Sequence, residues 1–334
     1  MVHTRARLFN MKTLSYKFIY EWRYSSIVTG TFVLILLGSL NYFSGAWDAE
    51  NAPWYFPSAQ AFIGMTLLVT LMPAYMGATG IYGYRRSFEI AQLTDSIHGT
   101  DLTQLFTATP WKLIGTAGTV GVLFGILFNI PSQGWMNFIL ETPTDIVIAF
   151  GQILVWLVFF CLIALRLRIA RGFNHASRSV SIDILEPTSL RPFAQNGLID
   201  VLLFSGGLAL STVQSLDFSF RADNYTKALT IAVPVMLYLA IYPIWEIHKK
   251  MQAMKAEQLR ELDERIGGAS KSLEIDAMNK LEILLQRRER VSDCATWPID
   301  IAILQRFFFY IIIPPLAWIG AALVESVIDG FIQG

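Results

Sequence analysis

Seven stretches of about 20 mostly apolar residues divide this chain, and they constrain its fold more than any other feature. A helix rises about 1.5 Å per residue, so roughly 20 apolar residues cross the ~30 Å hydrocarbon core of a bilayer. Only 16% of the 334 residues are charged, against roughly 25% in an ordinary soluble domain. The sequence therefore predicts an all-α fold, a polytopic transmembrane helical bundle of about seven spans. The stretches are 25–43, 59–83, 111–129, 146–165, 198–216, 228–247 and 301–327.

Lysine and arginine are segregated between alternate connecting segments. If the N-terminus lies in the cytoplasm, all but two of the 26 basic residues, Arg221 and Lys227, fall on the cytoplasmic side. Short cytoplasmic segments of membrane proteins carry an excess of Lys and Arg. The sequence therefore predicts a multi-pass protein of a bacterial inner (plasma) membrane. Its N-terminus is expected in the cytoplasm and its C-terminus outside.

The polar segments divide the chain further. Residues 1–24 are expected to form a basic cytoplasmic N-terminus, and residues 25–247 a six-span bundle. Two amphipathic segments of this bundle, near 86–110 and 172–197, are expected to lie at the cytoplasmic membrane interface. Residues 298–334 hold the final span, in which Pro314 and Pro315 are a candidate hinge because proline kinks a helix. Whether this last stretch crosses once or forms a re-entrant hairpin is left open.

The largest polar segment is 248–297. Its first half, from His248 to Ile266, is rich in strong helix formers and contains neither glycine nor proline. Gly267 and Gly268 are expected to interrupt the helix, and a helical pattern resumes at about Ser272. This predicts a cytoplasmic hairpin of two antiparallel, coiled-coil helices, the first of which continues directly from the sixth span.

Ionisable residues inside a membrane are the usual pointer to function, and few fall within the predicted spans. Glu325 and Asp329, near the outer end of the last span, are candidates for a pore or its outer mouth. An acid at a hydrated interface is the simpler explanation of both. Gln152 and Gln214 are the other pore candidates, although each could equally bond across helices.

Arg166, Arg168 and Arg171 directly follow the fourth stretch, where they would suit anionic lipid headgroups. They are also the ordinary positive-inside signal. Glycine recurs every three to four residues in the second and third stretches, which favours close helix packing and, as the alternative, a pore-lining helix. These glycines are Gly77, Gly80 and Gly83, followed by Gly115, Gly118, Gly121 and Gly125.

No pattern predicts a metal, a cofactor, a nucleic-acid ligand or an enzyme activity. The four histidines have no acidic or cysteine partners at ligand spacing, and the two cysteines are far apart in sequence. The sequence also lacks a phosphate-binding loop, a nucleophile elbow and the zinc-protease motif. The histidines are His3, His98, His175 and His248.

Two functional interpretations remain. The first is a homo-oligomeric ion channel or passive conduit, favoured by the scarcity of charges in the spans, the glycine pattern and the kinked last span. The alternative is a non-conducting membrane scaffold, signalling or regulatory subunit. In both, the expected partners are membrane lipids and either further copies or another membrane-complex component, which would bind through the 248–297 hairpin.

Overall fold

The chain folds into helices and the turns that join them. The computed structural model describes residues 22–53, 56, 58–107, 110–129, 140–183, 187–211, 213, 218–269, 275–297, and then 305, 306, 308–310, 312 and 316. The described residues are 87% helical and contain no strands. Their main helices are α1 (Ser25–Phe43), α2 (Ala59–His98), α3 (Trp111–Phe124), α4 (Pro143–Ser177), α5 (Arg191–Ser211), α6 (Phe218–Ala269) and α7 (Ile275–Asp293). Short 3-10 turns cover Ala49–Asn51, Leu102–Phe106 and Pro187–Leu190, and a wider π turn, Gly125–Asn129, continues α3.

Five of these helices are long and apolar enough to cross a membrane. They are α1, α2, α4, α5 and the part of α6 from Leu229 to Gly268. They correspond to the first, second, fourth, fifth and sixth predicted stretches. The third stretch forms a shorter apolar helix, Trp111–Leu127, and most of the seventh lies outside the described residues. The fold is thus all-helical and compatible with a membrane-embedded protein, while the count of seven spans stays a prediction.

Helices α2 and α5 lie at the centre of the arrangement. Helix α2 packs against α1, α4 and α5, whereas α6 packs against α5 and α4, and α3 lies against α4. One apolar core joins α2 and α4 around Phe62, Val69 and Ile148, together with Ala46 in the turn after α1. A second joins the end of α2 to α4, α5 and α6 around Phe173 and Phe193. We call this second region the α7 end of the bundle, because α6 continues from it into the segment that packs against α7. Helices α2 and α4 end in this region, and α5 begins there.

Local sequence signals explain several helix boundaries. The Ser58 hydroxyl accepts a hydrogen bond from the Ala61 amide at 3.0 Å, which caps the start of α2. Thr142 and Asp145 form a reciprocal capping box at the start of α4. Gly99 ends α2 with φ +65°, a left-handed conformation that glycine adopts without steric cost.

Segment 86–110, which was expected to lie at the membrane interface, does not form a separate helix at its start. Its first part is a direct continuation of α2 as far as His98, not a separate surface helix. Ile90 and Ala91 are buried in the core at the α7 end, whereas Leu93 and Ile97 are 49% and 48% exposed. The second predicted interface segment, 172–197, is divided between the end of α4 and the start of α5, which begins at Arg191 instead of residue 198.

Helix α6 is continuous over 52 residues, as expected from the continuation of the sixth span into the polar segment. The glycine pair does not interrupt it, since Gly267 and Gly268 are both helical and α6 ends only at Ala269. Both glycines lie within the last three residues of α6 as described, so the helix continues about two residues past the predicted interruption. Helix α7 then packs against α6.

Candidate functional site

A buried ion pair joins two of the membrane-compatible helices. Arg166 on α4 is 1% exposed and Asp200 on α5 is 0% exposed, and Arg166 Nε donates a hydrogen bond to Asp200 Oδ1. Charged side chains are rare at such positions unless they are paired. This pair therefore fixes the relative position of α4 and α5 near the α7 end.

The same guanidinium also binds α2 and a second residue of α5. Its Nη1 donates to the Gly83 carbonyl at 3.1 Å and to Ser87 Oγ at 2.8 Å. Its Nη2 donates to Asn196 Oδ1 at 3.4 Å, and Ser87 Oγ donates to the same oxygen at 2.7 Å. We call Ser87, Arg166, Asn196 and Asp200 the polar cluster. One arginine thus connects three helices through charge-assisted hydrogen bonds.

Glycine at position 83 lets the helices approach closely enough for these bonds. A Cβ atom there would lie 2.7 Å from Leu203 Cδ1 and 3.6 Å from Arg166 Nη1. A larger residue would require the Leu203 side chain to shift and would crowd the Arg166 guanidinium. The glycine pattern of the second stretch therefore has a packing role at this position.

Two atoms of the polar cluster have no hydrogen-bond partner among the described residues. They are Asn196 Nδ2, a donor, and Asp200 Oδ2, an acceptor, and both residues are completely buried. Two other buried atoms of the bundle, Asn41 Oδ1 and Gln152 Nε2, also lack a hydrogen-bond partner among the described residues. Buried polar atoms are nearly always paired, so these four positions are the least satisfied part of the described interior.

The assignment of Arg166 to lipid headgroups was wrong, because this side chain is enclosed between α2, α4 and α5. Arg171 is exposed and Arg168 half-buried, so the headgroup role stays a prediction for these two. The sequence did contain a signal for the pair. Asp200 lies inside an apolar stretch, and an acid there requires a partner; Arg166 sits at the end of the preceding stretch.

Three of the four predicted pore residues lie outside the described part of the chain, namely Gln214, Glu325 and Asp329. The two prolines of the candidate hinge, Pro314 and Pro315, lie outside it as well. Gln152 is described and is 3% exposed. Because Gln152 is the one pore candidate within the described residues, the roles of all four stay predictions.

The glycine pattern of the third stretch is used for helix contact at one end only. A Cβ atom at Gly121 would lie 2.7 Å from the Trp156 carbonyl oxygen, and one at Gly125 would lie 3.2 Å from Ile153 Cα. Around Gly115, by contrast, nothing lies within 4 Å. Close approach of α3 to α4 accounts for the first two positions and not for the third.

Hydrogen bonds from side chains join α6 to α7 and to the residues that directly follow α7. His248 Nδ1 lies 2.9 Å from the Thr296 carbonyl oxygen, and Lys255 Nζ donates to the Cys294 carbonyl at 2.8 Å. Further along, Arg288 Nε donates to Asp263 Oδ1 at 2.5 Å. Residues further along α6 contact residues that lie earlier in the sequence of α7 and its C-terminal end, so the two helices are antiparallel. We call residues 252–269 and 275–293 the α6–α7 arm.

The base of this arm is tied to the bundle by another lysine. Lys250 Nζ donates to the carbonyl oxygens of Ser177, Arg178 and Val180, at the end of α4. A cation at the C-terminus of a helix satisfies its free carbonyls and interacts favourably with its dipole. The neighbouring Met251 is completely buried in the core at the α7 end.

Asp95 organises the turn that follows α2. Its carboxylate accepts hydrogen bonds from Thr100 Oγ1 at 2.6 Å, from the Leu102 amide at 2.7 Å and from the Thr103 amide at 2.9 Å. Burial raises the pKa of Asp95, but these hydrogen bonds together outweigh burial and hold the pKa below its ordinary value. This residue lies beyond the apolar part of α2, and it acts as a cap for the Leu102–Phe106 turn.

Among the described residues, no group of three or more His, Cys, Asp and Glu side chains could hold a metal ion. His98 Nε2 lies 3.0 Å from the Ser189 carbonyl oxygen, and the His248 ring stacks on Trp297. Both histidines therefore contribute to packing between segments.

Comparison with protein-family models, with curated proteins and with solved structures finds no match. The fold and the site alone define the class of this protein. Its described residues are helical and include five helices able to cross a membrane, with a buried ion pair between two of them. The last of the five continues into a polar segment that packs against α7.

Proposed function

We propose that this protein is a non-conducting subunit of the bacterial inner membrane whose α6–α7 arm binds a protein partner in the cytoplasm. The observation that carries the proposal is the continuity of α6. One helix runs from the candidate span through Met251 in the core to Ala269 at the end of the arm. At 1.5 Å per residue, the arm extends about 27 Å beyond Met251.

The surface of α7 supports a helix as the partner's binding element. Val291 is buried at the junction with α6, where the two helices pack. Met278 and Leu285 are 63% and 48% exposed, and their seven-residue spacing places them on the same side of α7. A third helix laid along this side would cover both residues and convert the pair into a three-helix coil.

A pull-down from cross-linked membranes tests this proposal. We expect the double variant M278D/L285D to lose the proteins that co-purify with the wild type, because two carboxylates would be buried in the contact. The control is I283D, which changes an even more exposed residue on another side of the same helix and should retain the partner. Retention of every partner by M278D/L285D and by a chain lacking residues 252–293 would refute the docking function.

The proposed sidedness has its own test, since one of the two cysteines of the chain directly follows the arm. Cys294 follows α7 and is half-exposed, whereas Cys161 lies on α4 within the bundle. A membrane-impermeant maleimide should label Cys294 in inverted vesicles and not in intact spheroplasts. Labelling in spheroplasts would place the arm outside and reverse the proposed orientation.

A homo-oligomeric channel is the second candidate function. It is favoured by α1, whose apolar surface is almost entirely exposed in the single chain, including Phe32 and Ile35. Further copies could cover this surface as well as lipid does. Ion flux through liposomes containing the purified protein, reduced by E325Q, would support the channel. Absence of flux in liposomes of several lipid compositions would leave the docking function as the better account.

A further inference from the structure

The polar cluster contains one donor and one acceptor that the protein itself leaves unpaired. Arg166 directs Nε, Nη1 and Nη2 to Asp200, Gly83, Ser87 and Asn196. Asn196 Oδ1 accepts hydrogen bonds from Arg166 Nη2 and from Ser87 Oγ. Asp200 Oδ1 accepts one from Arg166 Nε. Among the described residues, only Asn196 Nδ2 and Asp200 Oδ2 of the cluster remain without a partner.

These two atoms belong to one side of one helix. Asn196 and Asp200 are four residues apart on α5, a spacing that brings their Cβ atoms to about 5–6 Å. The Asn196 amide is held in its orientation, because rotating it would present Nδ2 to Arg166 Nη2 and leave Ser87 Oγ without its acceptor. The Asp200 carboxylate is held by Arg166 through its other oxygen. Both free atoms are therefore fixed, and both lie in residues with 0% exposure.

We propose that Asn196 and Asp200 bind one buried water molecule between Nδ2 and Oδ2. The chemistry of the two atoms selects this ligand. A metal cation would face the amide hydrogens of Asn196, and an anion would face the carboxylate of Asp200. A small neutral molecule that accepts one hydrogen bond and donates another satisfies both, and water is the smallest such molecule.

The bound water extends the cluster into a closed chain of hydrogen bonds. The chain runs from Asp200 through Arg166 to Asn196 and returns through the water to Asp200. Charge-assisted bonds in such a chain reinforce one another in a medium of low dielectric constant. The water thereby strengthens the connection of α5 to α4 and α2, and its loss would leave an amide and a carboxylate oxygen unpaired.

High-resolution electron cryo-microscopy in lipid nanodiscs tests the proposal. In the wild type we expect one density peak within about 2.7–3.2 Å of both Asn196 Nδ2 and Asp200 Oδ2. The peak should disappear in N196L, which removes the donor. It should persist in the control S205A, which alters another buried polar side chain of the same helix.

A second variant keeps the test decisive if N196L does not fold. D200N preserves the shape of Asp200 and still offers an oxygen or an amide to the water, so the peak should persist. The proposal is overturned if the wild type shows well-resolved side chains and no peak. It is equally overturned if Nδ2 of Asn196 bonds directly to Oδ2 of Asp200, or if the peak survives in N196L.

Discussion

Replacement of Arg166 by methionine is the sharpest test of how this bundle is held together. The change keeps a long, unbranched side chain while it removes the charge and all four of the hydrogen bonds that the guanidinium donates to α2 and α5. It leaves Asp200 buried without its partner. Removing one member of a buried ion pair costs about 3–5 kcal/mol, because the remaining charge is uncompensated. We expect R166M to lower the free energy of unfolding by that amount.

Replacement of the partner residue, Asp200, by asparagine should lower the free energy of unfolding by a smaller amount. In D200N the guanidinium keeps three neutral acceptors, namely the Gly83 carbonyl, Ser87 Oγ and Asn196 Oδ1. The loss is then close to that of one hydrogen bond to a charged group, about 1.5–3 kcal/mol. The double variant R166M/D200L removes both charges and so leaves no unpaired charge in the bundle. Its free energy of unfolding should fall by about 2 kcal/mol less than the sum of the decreases in R166M and D200L measured separately.

The free energies are measured by reversible unfolding in mixed micelles of increasing SDS fraction, followed by tryptophan fluorescence. Arg171 provides the matched control, since it lies on the same helix and is exposed; R171M should change the free energy of unfolding by less than about 0.5 kcal/mol. The reasoning is refuted if R166M behaves like R171M. It is also refuted if the losses in R166M and D200L simply add in the double variant.

Three further outcomes follow from the packing and the caps. G121A should cost about 1–3 kcal/mol of unfolding free energy, because its Cβ would meet the backbone of α4, whereas G115A on the same helix should be neutral or stabilising; equal effects would contradict the contact. K255M removes the lysine that binds the end of α7, so maleimide should label Cys294 faster than in the wild type, and an unchanged rate would argue against this role. The depressed pKa of Asp95 means that its stabilising contribution is present above the unfolded pKa and is lost as the pH falls through the lower, folded value. The protection factors of the 102–106 amides, which are exchange rates corrected for the intrinsic rate at each pH, should therefore fall as the pH is lowered from 6 to 3, and D95N should remove this pH dependence.

Sequence reasoning could recover the helices and not their contacts. The lengths of the apolar stretches predict α1, α2, α4, α5 and the first part of α6, because the bilayer thickness sets a fixed helix length. The continuation of α6 into the polar segment follows from its run of strong helix formers. The predicted stretches end α2 at residue 83 and begin α5 at residue 198, whereas α2 continues to His98 and α5 begins at Arg191. Ile90 and Phe193 lie in these two extensions. In the fold they pack against other helices.

The polar cluster was missed for a related reason. Arg166 at the end of an apolar stretch has the same sequence signature as a lysine or arginine that marks the cytoplasmic side. Only the packing of α4 against α5 and α2 distinguishes a side chain turned into the bundle from one turned to the headgroups. The partner of Arg166 lies 34 residues away, a separation that helical periodicity cannot connect.

Helix α6 links the arm to the polar cluster through close helix contacts. A Cβ atom at Gly197 would lie 2.6 Å from the Ala240 carbonyl oxygen, so α5 and α6 touch through their backbones one turn or less from Asn196 and Asp200. On its other side, α6 accepts a hydrogen bond at the Tyr242 carbonyl from Asn174 Nδ2 of α4, at 2.8 Å. Because packed helices resist small continuous displacements, a partner that tilts the arm would also have to shift α6 against these two contacts. Because the contact at Gly197 lies beside the polar cluster, we expect binding at the arm and the integrity of the cluster to be energetically coupled.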